Sequence, residues 1–230
     1  MRRKTVQRAR RALLLILGLA IIASVWSAEQ VTRAGHGPAW LQFLFSAAGP
    51  TGGLRVGLIA GHRGNDSGTA CADGLTEVEV NTRIAELTAA RLRNQGMRVE
   101  ILDEMDSRLF FYRADAFVSI HTDSCQAAFS GFKVAAPADG SAASQRLAAC
   151  LWDEYEAASG LPRHPSTITR DMTEYHAFRK LAPGTPAAII ELGFLGTDRA
   201  LLVDEPGRLA DGVAAGIICF LTPTTATQEP

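Results

Sequence analysis

Three apolar, strand-like runs in this chain end on a group that a hydrophobic core cannot use. "VGLIAGH" ends in His62, "AFVSIH" in His121 and "AAIIE" in Glu191. In open α/β sheets, ligands sit just beyond the carboxyl ends of the strands, so neighbouring strands would aim these three side chains into one crevice. A fourth group, Glu77, follows Thr76 at the start of a helix-like segment, where its carboxylate is free to reach outward. His62, His121 and Glu77 make a two-histidine, one-carboxylate set, a common catalytic zinc shell with water in the fourth place. Zinc in such a shell lowers the pKa of water toward neutrality and polarises a carbonyl oxygen. Glu191 would be the extra carboxylate, taking a proton from that water and handing it to a leaving nitrogen. Each residue also has an ordinary reading. A histidine at a strand end is often hydrogen-bonded filler, Glu77 and Glu79 could simply favour the helix dipole, Asn81 could sit on a helix surface, and Glu191 could pair with an arginine. Spacing alone leaves both readings open.

The elements that must position these residues alternate between strand and helix patterns, which implies an α/β domain with a largely parallel sheet. Strands are expected at Arg55–Ala60, Arg98–Leu102, Ala116–Ile120, Gly131–Ala136 and Ala187–Ile190. A helix should open at Thr76, where Thr76 and Glu79 fit a capping box and Val80, Ile84 and Leu87 share a face, and should stop at Gly96. Further helices are expected from Ser141 to Ser159, ended by Gly160, and from Pro206 to about Leu221.

The chain has 230 residues, 47% of them hydrophobic and 20% charged, with a net charge of −1. That suits one globular domain with a full core and gives no general attraction to nucleic acid. One local asymmetry stands out. Arg2, Arg3, Lys4, Arg8, Arg10 and Arg11 precede the apolar run from Ala12 to Trp26. A basic head before such a run is the pattern of a secretory signal or a membrane anchor, and it places the protein outside the cytoplasm. Residues 1–28 are therefore expected to be a signal peptide or anchor and residues 29–53 a linker. Residues 54–222 would form the catalytic domain and residues 223–230 a disordered tail. Uncleaved, the first segment would hold the protein on the membrane.

Four strings in order, "GHRGNDSG", "GLTEVEVN", "VSIH" and "IELGFLGTD", cover the proposed site. Together they resemble the zinc-dependent N-acetylmuramoyl-L-alanine amidase family of the Amidase_3 type. Its pattern is a GH-x-G-x-D-x-G loop, a G-x-x-E-x-x-x-N helix start, an S-I-H strand end and an E-x-G-F-L strand end. The match in order and spacing runs from Val56 to about Leu221. The resemblance implies that His62, Glu77 and His121 hold zinc and that Glu191 is the catalytic acid/base. The implied substrate is peptidoglycan, cut at the amide between N-acetylmuramic acid and L-alanine. The implied fold has three layers: a twisted, mostly parallel sheet of about six strands with helices on both faces. Arg63 stands where the family usually has Gly, Ser67 where it has Pro, and Gly196-Thr197-Asp198 where Ser-Asn is usual. Arg63, beside a proposed ligand, is a candidate contact for a peptide carboxylate. His176 in "TEYHAF" is a second candidate cleft residue. His164, between Pro162 and Pro165, reads as a loop residue.

If the three ligands converge, the loops carrying Cys71 and Cys125 are neighbours, and a disulfide between them is expected. Cys150 in "LAACLW" and Cys219 in "IICFL" are expected to remain buried thiols. Three other functions compete with the amidase: a zinc peptidase or amidase acting on another exported amide, a cysteine hydrolase built on Cys125 and His121, and a non-catalytic wall-binding module.

Overall fold

The computed structural model describes residues 53–222. The expected leader or anchor, the linker up to residue 52 and the tail at 223–230 lie outside the described residues. The chain forms β1 (Arg55–Ala60), α1 (Glu77–Asn94), β2 (Arg98–Leu102), β3 (Ala116–Asp123) and β4 (Lys133–Ala135), then α2 (Ala142–Ser159) and α3 (Arg170–Thr173). It closes with β5 (Ala187–Phe194), α4 (Arg199–Asp204) and α5 (Pro206–Leu221). The sheet order is β2-β1-β3-β5-β4. All pairings are parallel except that of β4, which runs antiparallel along β5. The described residues thus form a mostly parallel sheet of five strands, against the six or so expected.

Side-chain alternation assigns the two faces. Val56, Leu58 and Ala60 of β1, Val118 and Ile120 of β3, and Ala188 and Ile190 of β5 point to one side, into a core shared with α1, α2 and α5. Ile59, Phe117 and Ile189 point to the other, where Leu109, Tyr112, Met172 and Tyr175 cover them. That second cover is made of short pieces, namely α3 and 3₁₀ turns at Ser107–Leu109 and Phe178–Lys180. Helical elements therefore lie on both faces, long on one and short on the other. The central strands β3 and β5 are covered on both sides, which is why they read as continuous apolar runs.

The helix ends follow their sequence signals. The Thr76 N–H and hydroxyl donate to Glu79 Oε2 at 2.9 and 2.7 Å, which fixes the entry to α1. Ser141 accepts the Ser144 N–H at the start of α2, and Pro206 sits in the first turn of α5. No helix among the described residues is long and apolar enough to cross a membrane.

One expectation is overturned here. Cys150 and Cys219 are not thiols; they form a disulfide between α2 and α5, with a Cα–Cα distance of 5.8 Å. The reason is the close packing of these two helices. A Cβ added at Gly216 would stand 2.8 Å from Leu151, so the glycine lets the α5 backbone lie against α2. Each cysteine reads as core when its own helix is considered alone, and only the pairing of the two faces brings the sulfurs together. Replacing both residues by alanine is expected to cost about 2–4 kcal/mol of stability, since the bridge closes a long loop in the unfolded chain. Urea unfolding would show a lower midpoint; a midpoint equal to that of the parent protein would contradict the prediction.

Candidate metal centre

The sheet order brings the ends of β1, β3 and β5 side by side. His121 and Glu191 are register partners across β3 and β5, and Lys133 of β4 is the partner of Glu191 on the far side. On the near side, Gly61 continues β1, its N–H donating to the Ile120 carbonyl at 2.9 Å. A Cβ on Gly61 would lie 2.5 Å from the imidazole of His121. The missing side chain is what lets that ring lie across β1. His62 follows with φ of 67°, a left-handed conformation uncommon outside glycine.

Glu77, in the first turn of α1, completes the group. Its Oε1 lies 3.1 Å from His121 Nδ1 and 3.3 Å from His62 Nε2. Oε2 accepts the Thr69 N–H at 3.1 Å. Asn81 is fully buried rather than on the helix surface, and donates to both Glu77 Oε1 and the Gly61 carbonyl at 3.3 Å. One ligand atom from each of His62, Glu77 and His121 lies within 4.8 Å of the others, a group that could hold a metal ion. The remaining nitrogen of His62, Nδ1, is 2.5 Å from Asp66 Oδ1.

The electrostatics suit a cation. Burial alone would raise the pKa of Glu77, but hydrogen bonds from His121 and His62 hold it well below the carboxylate range. The bond to Glu77, reinforced by Asp66, lifts His62 to about 9 against the cost of burial. Burial opposes protonation of His121, but Glu77 outweighs it and raises this group too. Both shifts share one cause, the Glu77 carboxylate, which favours positive charge in this group.

Glu191 behaves differently. It is partly buried overall, but its Oε2 is enclosed and has no hydrogen-bond partner among the described residues. Burial pushes its carboxyl up to about 7, partly offset by the nearby His121. Lys133 lowers it only slightly, its ammonium being paired with Asp123 at 2.5 Å and donating to Thr167. A carboxyl that titrates near neutrality and is not tied to a partner is suited to accept a proton and release it.

Two residues that sequence reading missed belong to the same cluster. Glu104 lies just past the end of β2 and is 6% exposed. It accepts the His62 N–H, the Tyr175 hydroxyl and His176 Nε2. Burial would raise it, but His176, His121, Tyr175 and His62 together hold it at about 2. The strand-end rule that finds His62 and Glu191 also applies to Glu104. The acid-rich string "EILDEMD" hides it among other carboxylates. Tyr175 carries no sequence signal beyond standing next to His176.

The other expected site residues have defined places. His176 stands behind Glu104, with Nδ1 3.2 Å from the Lys180 ammonium. Arg63 is bound to Asp103 Oδ1 at 2.6 Å and to the Ile101 carbonyl, so part of its guanidinium is committed to the β2 side. His164 introduces the 3₁₀ turn Pro165–Thr167. Cys71 and Cys125 are joined, Cα–Cα 5.7 Å, and tie the loop between His62 and Glu77 to the segment after His121. The cysteine hydrolase reading fails on this point, since the Cys125 sulfur is not a thiolate.

Residues 56–219 match the family model described as N-acetylmuramoyl-L-alanine amidase, Amidase_3. The Bacillus subtilis (strain 168) protein YqiI is 29% identical over 185 residues, 74% of this chain and 86% of that protein. The solved N-acetylmuramoyl-L-alanine amidase AmiC2 of Nostoc punctiforme aligns with a TM-score of 0.57 and 25% identity, covering 74% of this chain and 98% of that one. The N-acetylmuramoyl-L-alanine amidase of Clostridium difficile 630 aligns with a TM-score of 0.62 and 22% identity, over 74% and 97% of the respective chains.

Proposed function

Because the chain belongs to the N-acetylmuramoyl-L-alanine amidase family, we propose that His62, Glu77 and His121 hold one zinc ion and that Glu191 carries the proton in its reaction. The reaction is hydrolysis of the peptidoglycan amide between N-acetylmuramic acid and L-alanine. The observation that carries the residue assignment is the convergence of three ligand atoms within 4.8 Å beside a carboxyl with an unpartnered, enclosed oxygen. When bound, zinc supplies Lewis acidity toward the amide carbonyl and makes water a nucleophile near neutral pH.

The protein side of the chemistry follows from Glu191. An amide nitrogen leaves poorly unless it is protonated as the bond breaks. A carboxylate that first takes the proton of the attacking water can then deliver it to that nitrogen. Glu191 has the freedom for both steps, because no arginine or lysine ties up Oε2. Its place within β5, in register with His121, fixes it against the strand that carries a proposed ligand. Arg63 is the proposed polar contact to the stem peptide, and His176, whose ring nitrogens are engaged by Glu104 and Lys180, is proposed to line the cleft with the face of its ring. Nη1 of Arg63 has no partner among the described residues and is the part able to meet a carboxylate.

The substrate lies in the cell wall, so the protein is exported. Residues 1–28 are the proposed signal peptide or anchor, 29–53 the linker, 54–222 the catalytic domain and 223–230 the tail. Two disulfides suit an oxidising space.

The test is digestion of purified peptidoglycan followed by mass spectrometry. The expected products are stem peptides with a free L-alanine amino terminus and glycan strands with intact N-acetylmuramic acid. Cleavage inside the stem peptide instead would favour a zinc peptidase and overturn the assignment.

A further inference from the structure

Glu104 lies just past the end of β2, a strand that supplies none of the proposed ligands, and yet it touches both histidines. Its Oε2 accepts the backbone N–H of His62 at 2.9 Å and lies 3.6 Å from His121 Nε2. Its Oε1 accepts the Tyr175 hydroxyl and His176 Nε2, both at 2.6 Å. The Tyr175 oxygen is also 3.4 Å from His121 Nε2 and accepts from Ser119 Oγ at 3.1 Å.

The direction of each proton in this cluster can be deduced. The Lys180 ammonium can only donate, so His176 Nδ1 is an acceptor and its Nε2 carries the hydrogen that goes to Glu104. With Ser119 donating to it, the Tyr175 hydroxyl gives its own hydrogen to Glu104. Every bond thus runs toward one carboxylate, which must be ionised to receive them. His121 faces Glu77 with Nδ1, leaving Nε2 to carry its hydrogen toward Tyr175 and Glu104. His62 is held at another point. Its left-handed backbone is unfavourable for a residue with a side chain, and the peptide that leads into it is held from both sides, its N–H donating to Glu104 and its carbonyl, that of Gly61, accepting from Asn81.

We propose that Glu104 is a positioning residue for the metal centre, fixing the backbone of His62 and, with Tyr175, the tautomer and ring orientation of His121. This rests on the reading of His62, Glu77 and His121 as the metal-holding set. Partners behind a ligand typically change metal affinity by about 10- to 100-fold when removed. A carboxylate that receives donors on both oxygens cannot be replaced by an amide, because one side of the amide is itself a donor.

The experiment uses the full chain with Glu104→Gln, Tyr175→Phe and His121→Ala. Zinc affinity is read by competition with a chromophoric chelator, the geometry of the site by the visible absorption of the cobalt(II)-loaded protein, and the fold by thermal unfolding of the metal-free form. Glu104→Gln is expected to weaken zinc binding by about 10- to 100-fold and to alter the cobalt spectrum. Tyr175→Phe should weaken binding less, by a factor on the order of ten or below. A merely structural role for Glu104 would lower the unfolding temperature and leave affinity and spectrum unchanged in protein that remains folded, and that result overturns the proposal. If Glu104→Gln does not fold, Tyr175→Phe decides: parental affinity and spectrum overturn the proposal, and a loss supports it. His121→Ala separates the two levels. If it binds zinc normally, the metal-site reading itself fails; if it loses zinc while both other variants bind as the parent does, only the role of Glu104 fails.

Discussion

Hydrolysis by Glu191→Gln is expected to fall by a factor on the order of 10² or more, with zinc content and fold almost unchanged. Gln keeps the shape of the side chain and removes its basicity. Glu191 is not needed to complete the three-residue set, and its Oε2 has no protein partner among the described residues whose loss would unsettle β5. Peptidoglycan fragments should still bind, because binding and proton transfer use different groups. The pH profile gives an independent check. In the metal-free site burial places the Glu191 carboxyl at about 7, and a bound dication lowers that value. A base works only when ionised, so the parent enzyme should lose activity as pH falls through an acid limb at or below 7. The residual activity of Glu191→Gln should lack that limb. Two results count against the role. A near-normal rate means that Glu191 is not the base. Loss of zinc with a retained fold makes Glu191 a ligand, and Glu77 becomes the better candidate for the proton carrier.

Metal removal is expected to have the largest effect of all, abolishing activity, with recovery on adding zinc back. Alanine at His62, Glu77 or His121 should do the same without recovery. Full activity in a sample shown by elemental analysis to be metal-free would end the proposal. Zinc affinity should also depend on pH in a definite direction. In the metal-free protein His62 holds its proton up to about 9, and only the neutral imidazole can bind metal. Below that value protons compete with zinc, so affinity should rise with pH, about tenfold per unit for each proton displaced, and level off near 9. A flat profile between pH 6 and 8 would show that His62 is not among the ligands.

The parts of this molecule that could be read in advance are those where a polar group interrupts a strong apolar pattern. His62, His121 and Glu191 stood out because each ends a run that otherwise looks like buried strand. Their convergence followed from the rule for strand ends, and the Cys71–Cys125 bridge followed from the convergence. The same logic misjudged where the strands stop. A polar residue reads as the end of the ladder, but β3 continues to Asp123 and β5 to Phe194. His121 and Glu191 are consequently held inside paired strands, not on loops. The segments on the second face of the sheet were not legible, because 3₁₀ turns and a single-turn helix have no run long enough to show a period. Tyr175 and the Cys150–Cys219 bridge share one cause of invisibility: each depends on which faces meet, and that is decided by packing between elements distant in the chain, whereas Glu104 is hidden among its neighbouring carboxylates.

Gly61 links the alignment of the sheet to the occupancy of the site. The imidazole of His121 lies over Gly61, just past the end of β1, where a side chain would clash with the ring. Sliding β1 by one residue against β3 would put Ala60 or His62 at that level and turn alternate side chains to the wrong face. A slipped sheet could still bury much of its apolar surface, but it could not bring His62, Glu77 and His121 together. If the proposed ion binds there, only the correctly aligned chain gains its binding energy, which adds directly to the stability of that alignment. Such an ion would act as a proofreader of strand pairing, selecting the one registration in which the proposed site is complete.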